Sequence, residues 1–264
     1  MAGLTATLLT RDEARNIADA LASVAWADER IVVDSRSSDE TVAVARAAGA
    51  RVDVRDWPGY GAQRNHAASL AAHDWILALD ADERVTPELA AEIRALLQGT
   101  PAAAGYRLPR VTYYLGRWMR TTDWYPDWQL RLYDRRRAAW NTRPVHESVE
   151  VRGPVARLRG ELRHHAYRDL AHHLDTINRY TTLAAGQMAA EGRRTTPAAA
   201  TVHAAAAFLR NYVLRRGLLD GAPGFVVSGM NAYYVWLKFV KLWALRHEGQ
   251  LPPGPAPTPP AEPR

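Results

Sequence analysis

Apolar and polar positions follow two alternating rhythms over the first hundred residues. Leu4 to Thr10 is a short apolar and β-branched run that predicts a strand, and Ile17, Leu21 and Val24 then recur at helical spacing. Arg30 to Val33 predicts a compact buried strand stopping at Asp34, Arg51 to Arg55 a third strand, and Trp75 to Leu79 a fourth. Between them, Ser37 to Glu40 has the spacing of a capping box opening a helix through Ala48. Gly59 to Ala72 suits a helix behind a glycine-rich entry. Thr86 caps a further helix with Pro87 in its first turn, running to about Leu97. This alternation predicts an α/β fold with a parallel, doubly wound sheet, whose ligand lies at the carboxyl ends of the strands. Thr10, Asp34 and the run Asp80 to Glu83 fall at those ends.

The rhythm then changes twice. Gly105 to His165 breaks into short β-like pieces dense in Trp, Tyr and Arg, and from Asp169 the pattern is helical over 170–190, 198–216 and 225–246. The expected division is a catalytic domain over 1–165, a helical region over 166–250 and a proline-rich, disordered tail over 251–264. Gly221 to Leu237 is uncharged but falls short of a spanning helix. On a helical wheel Asn231, Tyr234, Lys238 and Lys241 form a narrow polar stripe amid Val226, Met230, Trp236, Leu237, Val240 and Trp243. That suits either a helix lying on an anionic membrane surface or one packed into the protein's own core.

Composition narrows the chemistry. The chain has no cysteine, so disulfides, thiolate metal sites and cysteine nucleophiles are excluded, and any metal must sit on oxygen or imidazole. The N-terminal run is short and lacks a basic start, unlike a signal peptide, so a cytoplasmic protein is expected. Net charge is +6, carried by arginine apart from Lys238 and Lys241. Such a surplus suits phosphate-bearing substrates, an anionic membrane or nucleic acid.

Asp80-Ala81-Asp82 follows the fourth apolar strand. In extended backbone, residues two apart project to the same side, so both carboxylates are expected to converge on one hard cation, Mg²⁺ or Mn²⁺, that neutralises a diphosphate. Asp34, at the end of its strand, can accept from a base or ribose or close a turn. Gly59 to Asn65 supplies a flexible loop with one arginine, Arg64, suited to phosphate.

Taken together, Thr10-Arg11-Asp12-Glu13, Val33-Asp34-Ser35 with Ser38-Asp39, Gly61 to Asn65 and Leu79 to Glu83 resemble the nucleotide-sugar half of family-two inverting glycosyltransferases with the GT-A fold. Trp124 to Tyr133, Val145-His146-Glu147 and Arg210 to Gly221 resemble a narrower branch that includes the lipopolysaccharide core β-glucosyltransferases. The resemblance implies a UDP-sugar donor, a divalent metal and a single inverting displacement onto a glycan or lipid-linked acceptor, with no nucleic-acid partner. It implies that Thr10 and Glu13 line the nucleotide pocket, that Asp34 meets uracil or ribose, that Arg64 contacts the nucleotide, and that Asp80 and Asp82 serve metal and diphosphate. Asp12 departs from the asparagine of many relatives.

Inverting transfer needs a carboxylate to take the acceptor hydroxyl's proton. Asp123, Asp127, Asp134 and Glu147 are available; Asp127, in an aromatic-rich loop before an apparent strand, and Glu147 are the leading candidates. Asp127 pairing with Arg131 is the alternative reading. His146 is a candidate metal ligand or diphosphate contact, with less support for His164 and His165. Two other classes compete: a nucleotidyltransferase acting on sugar phosphates, which lacks its glycine-rich, lysine-bearing loop here, and a basic nucleic-acid-binding module, which leaves the strand-end carboxylates unexplained. A lipid-linked acceptor would make peripheral attachment to the inner face of the cell membrane useful.

Overall fold

The structure is a computed structural model that describes residues 2–141 and 148–247. His146, Glu147 and the tail over 251–264 lie outside the described residues. Internal contacts divide the chain into two compact units, Met1–Ala166 and Tyr167–Arg264.

The first unit opens as the sequence predicts. Strands β1 (Leu4–Thr10), β2 (Glu29–Asp34) and β3 (Arg51–Val54) alternate with helices α1 (Ile17–Ser23), α2 (Thr41–Ala47) and α3 (Tyr60–Ser69). Strand β4 (Trp75–Asp80) is followed by the short β5 (Glu83–Val85) and helix α4 (Pro87–Gln98). The Thr86 hydroxyl accepts from the Leu89 amide at 3.2 Å, the expected cap, with Pro87 in the first turn. The capping box at Ser37 does not form: α2 begins at Thr41, and its N-cap Glu40 makes no side-chain cap bond. Ser37 bonds Asp34 instead, the local turn competing for the same hydroxyl.

Strands β6 (Gly105–Tyr114), β7 (Arg117–Met119), β8 (Asp127–Asp134), β9 (Ala138–Trp140), β10 (Val149–Val151), β11 (Val155–Arg157) and β12 (Leu162–His164) complete the unit. The main sheet runs β3-β2-β1-β4-β8-β6-β12-β5, with β7 and β11 also on β6, while β9 and β10 pair separately. β3, β2, β1 and β4 pair in parallel, as β11 and β12 do with β6, but β8 joins β4 antiparallel, Trp75 opposite Asp134, so the sheet is mixed rather than parallel throughout. No helix crosses over between β6, β7 and β8, and strands joined by short connections pair antiparallel, as β6 does with β7 and with β8. Core side chains from Leu8, Leu77, Leu79, Ile93 and Leu108 fill one face of this sheet, and Ile31, Val33, Ile76 and Tyr133 the other.

The second unit is helical: α5 (Leu170–Ala190), α6 (Pro197–Leu209) and α7 (Gly221–His247). The helix expected over 198–216 ends early, passing into a π-helical turn over Arg210–Leu214 and a 3₁₀ turn over Gly217–Asp220. Gly224 is required there, because a Cβ would strike the Gly217 carbonyl. The polar stripe of α7 is largely used inside the unit. The Lys241 ammonium donates to Asn178 Oδ1 at 2.6 Å and to the hydroxyls of Thr181 and Thr182. Asn231 bonds Asn211 at 3.1 Å, Lys238 lies over Tyr234 and Phe239, and Trp243 stacks on His247. No described helix is long and apolar enough to cross a membrane.

Candidate active site

The parallel strands align their carboxyl ends, with Thr10 opposite Asp34 and Leu9 opposite Asp80. The loops that follow β1 and β2 are stitched together. The Ser38 amide donates to Asp12 Oδ1 at 2.7 Å, the Glu13 amide to Thr41 Oγ1 at 2.8 Å and the Ala14 amide to Asp39. Asp12 has φ +54°, a left-handed conformation that asparagine and aspartate adopt more readily than most residues. Glu13 accepts from the Asn16 amide group at 2.7 Å, and burial pushes its carboxyl up. Asp34, expected to reach a base or ribose, is fully buried and accepts from the Ser37 amide at 2.8 Å and from the Ser37 hydroxyl. The role its described contacts give it is closing the turn beneath the site.

Asp80 and Asp82 take different partners. The chain is extended only to Asp80 and then turns at Ala81–Asp82 into β5, so the period-two argument ends one residue too early. Asp80 Oδ1 accepts from Arg64 at 2.5 Å and Oδ2 from Arg131 at 2.6 Å. Burial pushes its carboxyl up, but Arg64, Arg131 and Arg110 outweigh this and hold it well below the usual range. Asp82 Oδ2 lies 3.3 Å from His164 Nε2; again burial opposes, and the imidazole wins, lowering the carboxyl.

An ionic chain that sequence reasoning missed runs outward from Asp80. Glu83, with no exposed surface, accepts from the Asp80 amide at 3.0 Å, from Arg131 at 2.7 Å and from Arg110 at 2.9 Å. Arg110 donates to Asp127 through Nε at 2.9 Å and Nη2 at 2.6 Å, and Gln129 holds the other oxygen of Asp127 at 2.7 Å. Asp127 therefore pairs with Arg110, its neighbour in the β6–β8 register, and not with Arg131. The legible signal was Asp127-x-Gln129-x-Arg131, polar side chains at alternate positions of one strand. The pairing with Glu83 and Arg110 is not legible, because it joins β5, β6 and β8 across the sheet.

Buried polar atoms are normally satisfied. Among the described residues, the buried side-chain atoms without a partner are Thr10 Oγ1, Gln63 Oε1, Arg64 Nη1, Asp82 Oδ1 and Arg131 Nε. These side chains come from the end of β1, the start of α3, the turn after β4 and strand β8, around the strand ends. Arg64 is further fixed by Trp140, whose ring lies 4.6 Å from the guanidinium carbon. The unpartnered arginine N–H groups offer donors, while Asp82 Oδ1 and Gln63 Oε1 offer acceptors.

No group of three or more His, Asp or Glu side chains forms a complete cation site among the described residues. Asp82 and His164 nevertheless fit a divalent ion that draws its other ligands from substrate, since Asp82 keeps one buried oxygen unpartnered and the imidazole adjoins the other. Asp80, with both oxygens engaged by arginines, is less available for that ion than the sequence spacing implied.

Residues 7–153 match the family described as Glycosyl transferase family 2. An uncharacterized glycosyltransferase of Rickettsia felis is 31% identical over 260 residues, covering 92% of this chain and 90% of its own length. The lipopolysaccharide core biosynthesis glycosyltransferase LpsC of Rhizobium meliloti is 28% identical, covering 91% and 92%. Among solved structures, S. aureus TarS in complex with UDP aligns with a TM-score of 0.37 at 21% identity, covering 44% of this chain and 37% of that one. With the strand-end site and the match over more than half its length, the chain belongs to glycosyl transferase family 2.

Proposed function

We propose that the chain moves a sugar from a UDP-sugar onto a glycan or lipid-linked acceptor, with inversion, in lipopolysaccharide core or other cell-envelope glycan synthesis, working peripherally at the inner face of the cell membrane. The observation that carries the donor reading is the set of unpartnered buried polar atoms on Thr10, Gln63, Arg64, Asp82 and Arg131, two of these residues donating to the strand-end Asp80. Likeness to LpsC along most of both chains supports the envelope assignment.

In this reading Thr10 and Glu13, with Asp34 beneath them, wall the nucleotide pocket, and Arg64 and Arg131 turn N–H donors toward the diphosphate. A divalent ion, Mg²⁺ or Mn²⁺, supplies positive charge against the leaving diphosphate when bound, and Asp82 with His164 would hold it. Asp127 takes the proton of the acceptor hydroxyl as that oxygen bonds to the anomeric carbon. The bond to the diphosphate breaks, and its electron pair leaves with UDP. Arg110 and Gln129 orient Asp127 for this step. Glu147 is the alternative base, and His146 an alternative contact for metal or diphosphate. The direct test is incubation with a panel of UDP-sugars and Mn²⁺, following UDP release. Release with at least one donor is expected, and no release above a boiled control with any donor would reject the reading.

A further inference from the structure

The turns joining α6 to α7 present large apolar side chains outward. Leu214 is 76% exposed, and Leu209, Leu219 and Phe225 are each more than half exposed; Val213 and Leu218 are also exposed. Exposed apolar residues scattered singly are ordinary, but a run of this density marks a surface that something covers. It has a firm base, because Phe225 packs edge-on against Phe208 and Tyr212 with centroids 5.6 Å apart, and the buried Asn211 is held by the Ala207 carbonyl and by Asn231. The contacts His203–Phe239 and Asn211–Asn231 run in opposite directions along the two helices, so these turns form the tip of a helical hairpin.

Charge identifies the occupant. Arg210, Arg215 and Arg216 are exposed beside the apolar side chains. From residue 192 to residue 247 the chain contains one carboxylate, Asp220, and that one is buried. A second copy docked on the same patch would bring arginines against arginines. A bilayer bearing anionic headgroups satisfies both features, taking the leucines among its acyl chains and the guanidiniums at its phosphates.

We infer that the hairpin tip over residues 209–225 inserts into an anionic membrane surface, anchoring the chain there without a spanning helix. This relocates the attachment from the Trp- and Lys-bearing face of α7, much of which is used for packing within its own unit. It deepens the transferase reading by naming the surface on which a lipid-linked acceptor is met, and rests on that reading only for the acceptor.

Flotation of the full chain with vesicles of phosphatidylglycerol and phosphatidylethanolamine, against pure phosphatidylcholine vesicles, tests it. The wild-type chain should float with the anionic vesicles, less so at high salt and not with the neutral ones. Leu214→Asp and Leu219→Asp, at exposed positions that should fold normally, should each weaken binding about tenfold. Arg215→Glu and Arg216→Glu should each weaken it roughly fivefold or more. Melting curves with and without UDP should be unchanged for the two leucine variants and for Arg216→Glu. A wild-type chain that stays unbound, leucine variants that bind as well as wild type, or a wild-type dimer that Leu214→Asp converts to monomer would overturn the anchor. Vesicle binding without any UDP-induced shift would instead reject the transferase reading and leave the anchor standing.

Discussion

At the scale of single residues, the site depends on guanidiniums shared between carboxylates. Arg131 serves Asp80 and Glu83 together, and both acids are held in a setting that would penalise them unpaired. Arg131→Ala should therefore cost about 3 kcal/mol in urea unfolding and also weaken UDP binding. In the wild type one nitrogen, Nη2, meets both acids while Nε is unpartnered, so Arg131→Lys, which keeps a charge but loses the Nε donor, should recover part of the stability and little of the UDP affinity. If neither variant changes UDP affinity, Arg131 is structural only. For the base, Asp127→Asn keeps the bond from Arg110 and removes the basicity, so turnover should fall roughly 10²- to 10⁴-fold with donor binding retained. A fall of that size for Glu147→Gln, with Asp127→Asn unaffected, exchanges the roles.

Sequence reading reached some of these residues and missed others for a definable reason. Thr10, Asp80 and Asp82 sit at or just past a strand end, and strand ends are visible as the place where an apolar run stops; Arg64, inside α3, was legible from the glycine-rich entry before it. Glu83 was visible only as part of the acidic turn, and Arg110 looked like one more arginine in an arginine-rich chain. Their significance comes from pairing across β5, β6 and β8, which local pattern does not encode. At Asp34 both a base or ribose contact and turn closure are legible, and the contact with Ser37 is the turn; what the pattern misassigns is Ser37, which bonds Asp34 rather than capping α2.

At the scale of elements, local chemistry proved a good guide where one residue decides an end. Thr86 caps α4 as its sequence predicts, and its hydroxyl also donates to the Glu161 carbonyl at 2.9 Å. Thr86→Ala should cost about 1 kcal/mol for the cap, somewhat more with the second bond lost, while Thr86→Ser should cost less; thermal unfolding distinguishes them. Equal stability of all three proteins would show that neither bond contributes. The break after Leu209 was less legible. Arg210 to Leu214 mixes the good helix formers Arg210 and Leu214 with the weaker Asn211, Tyr212 and Val213, and the end is marked by local features, the Asn211 side chain donating back to the Ala207 carbonyl and Arg216 at φ +58°.

At the scale of the whole molecule, the two units respond to different conditions. In the helical unit His173 is buried and packed at 4.2 Å from the Tyr167 ring; burial, then the neighbouring His172, push its imidazole down to about 4. The unfolded chain takes up that proton near the ordinary histidine value and the folded chain only near 4, so stability is lost as pH falls through this window. The loss between pH 7 and pH 4.5 should be on the order of 2 kcal/mol, and His173→Gln should remove that contribution. Parallel pH profiles for the two proteins would refute the assignment.

The central claim is that the strand ends of the first unit hold a nucleoside diphosphate, with Asp82 and His164 supplying the protein's ligands to a divalent ion. Titration calorimetry of UDP into the full chain, in Mn²⁺ and in EDTA, with Asp82→Asn and His164→Ala alongside wild type, tests it most directly. UDP should bind wild type more tightly in Mn²⁺ than in EDTA, and both variants should lose that difference while keeping the metal-independent part. Absence of UDP binding by the wild-type chain in either condition would contradict the account at its root.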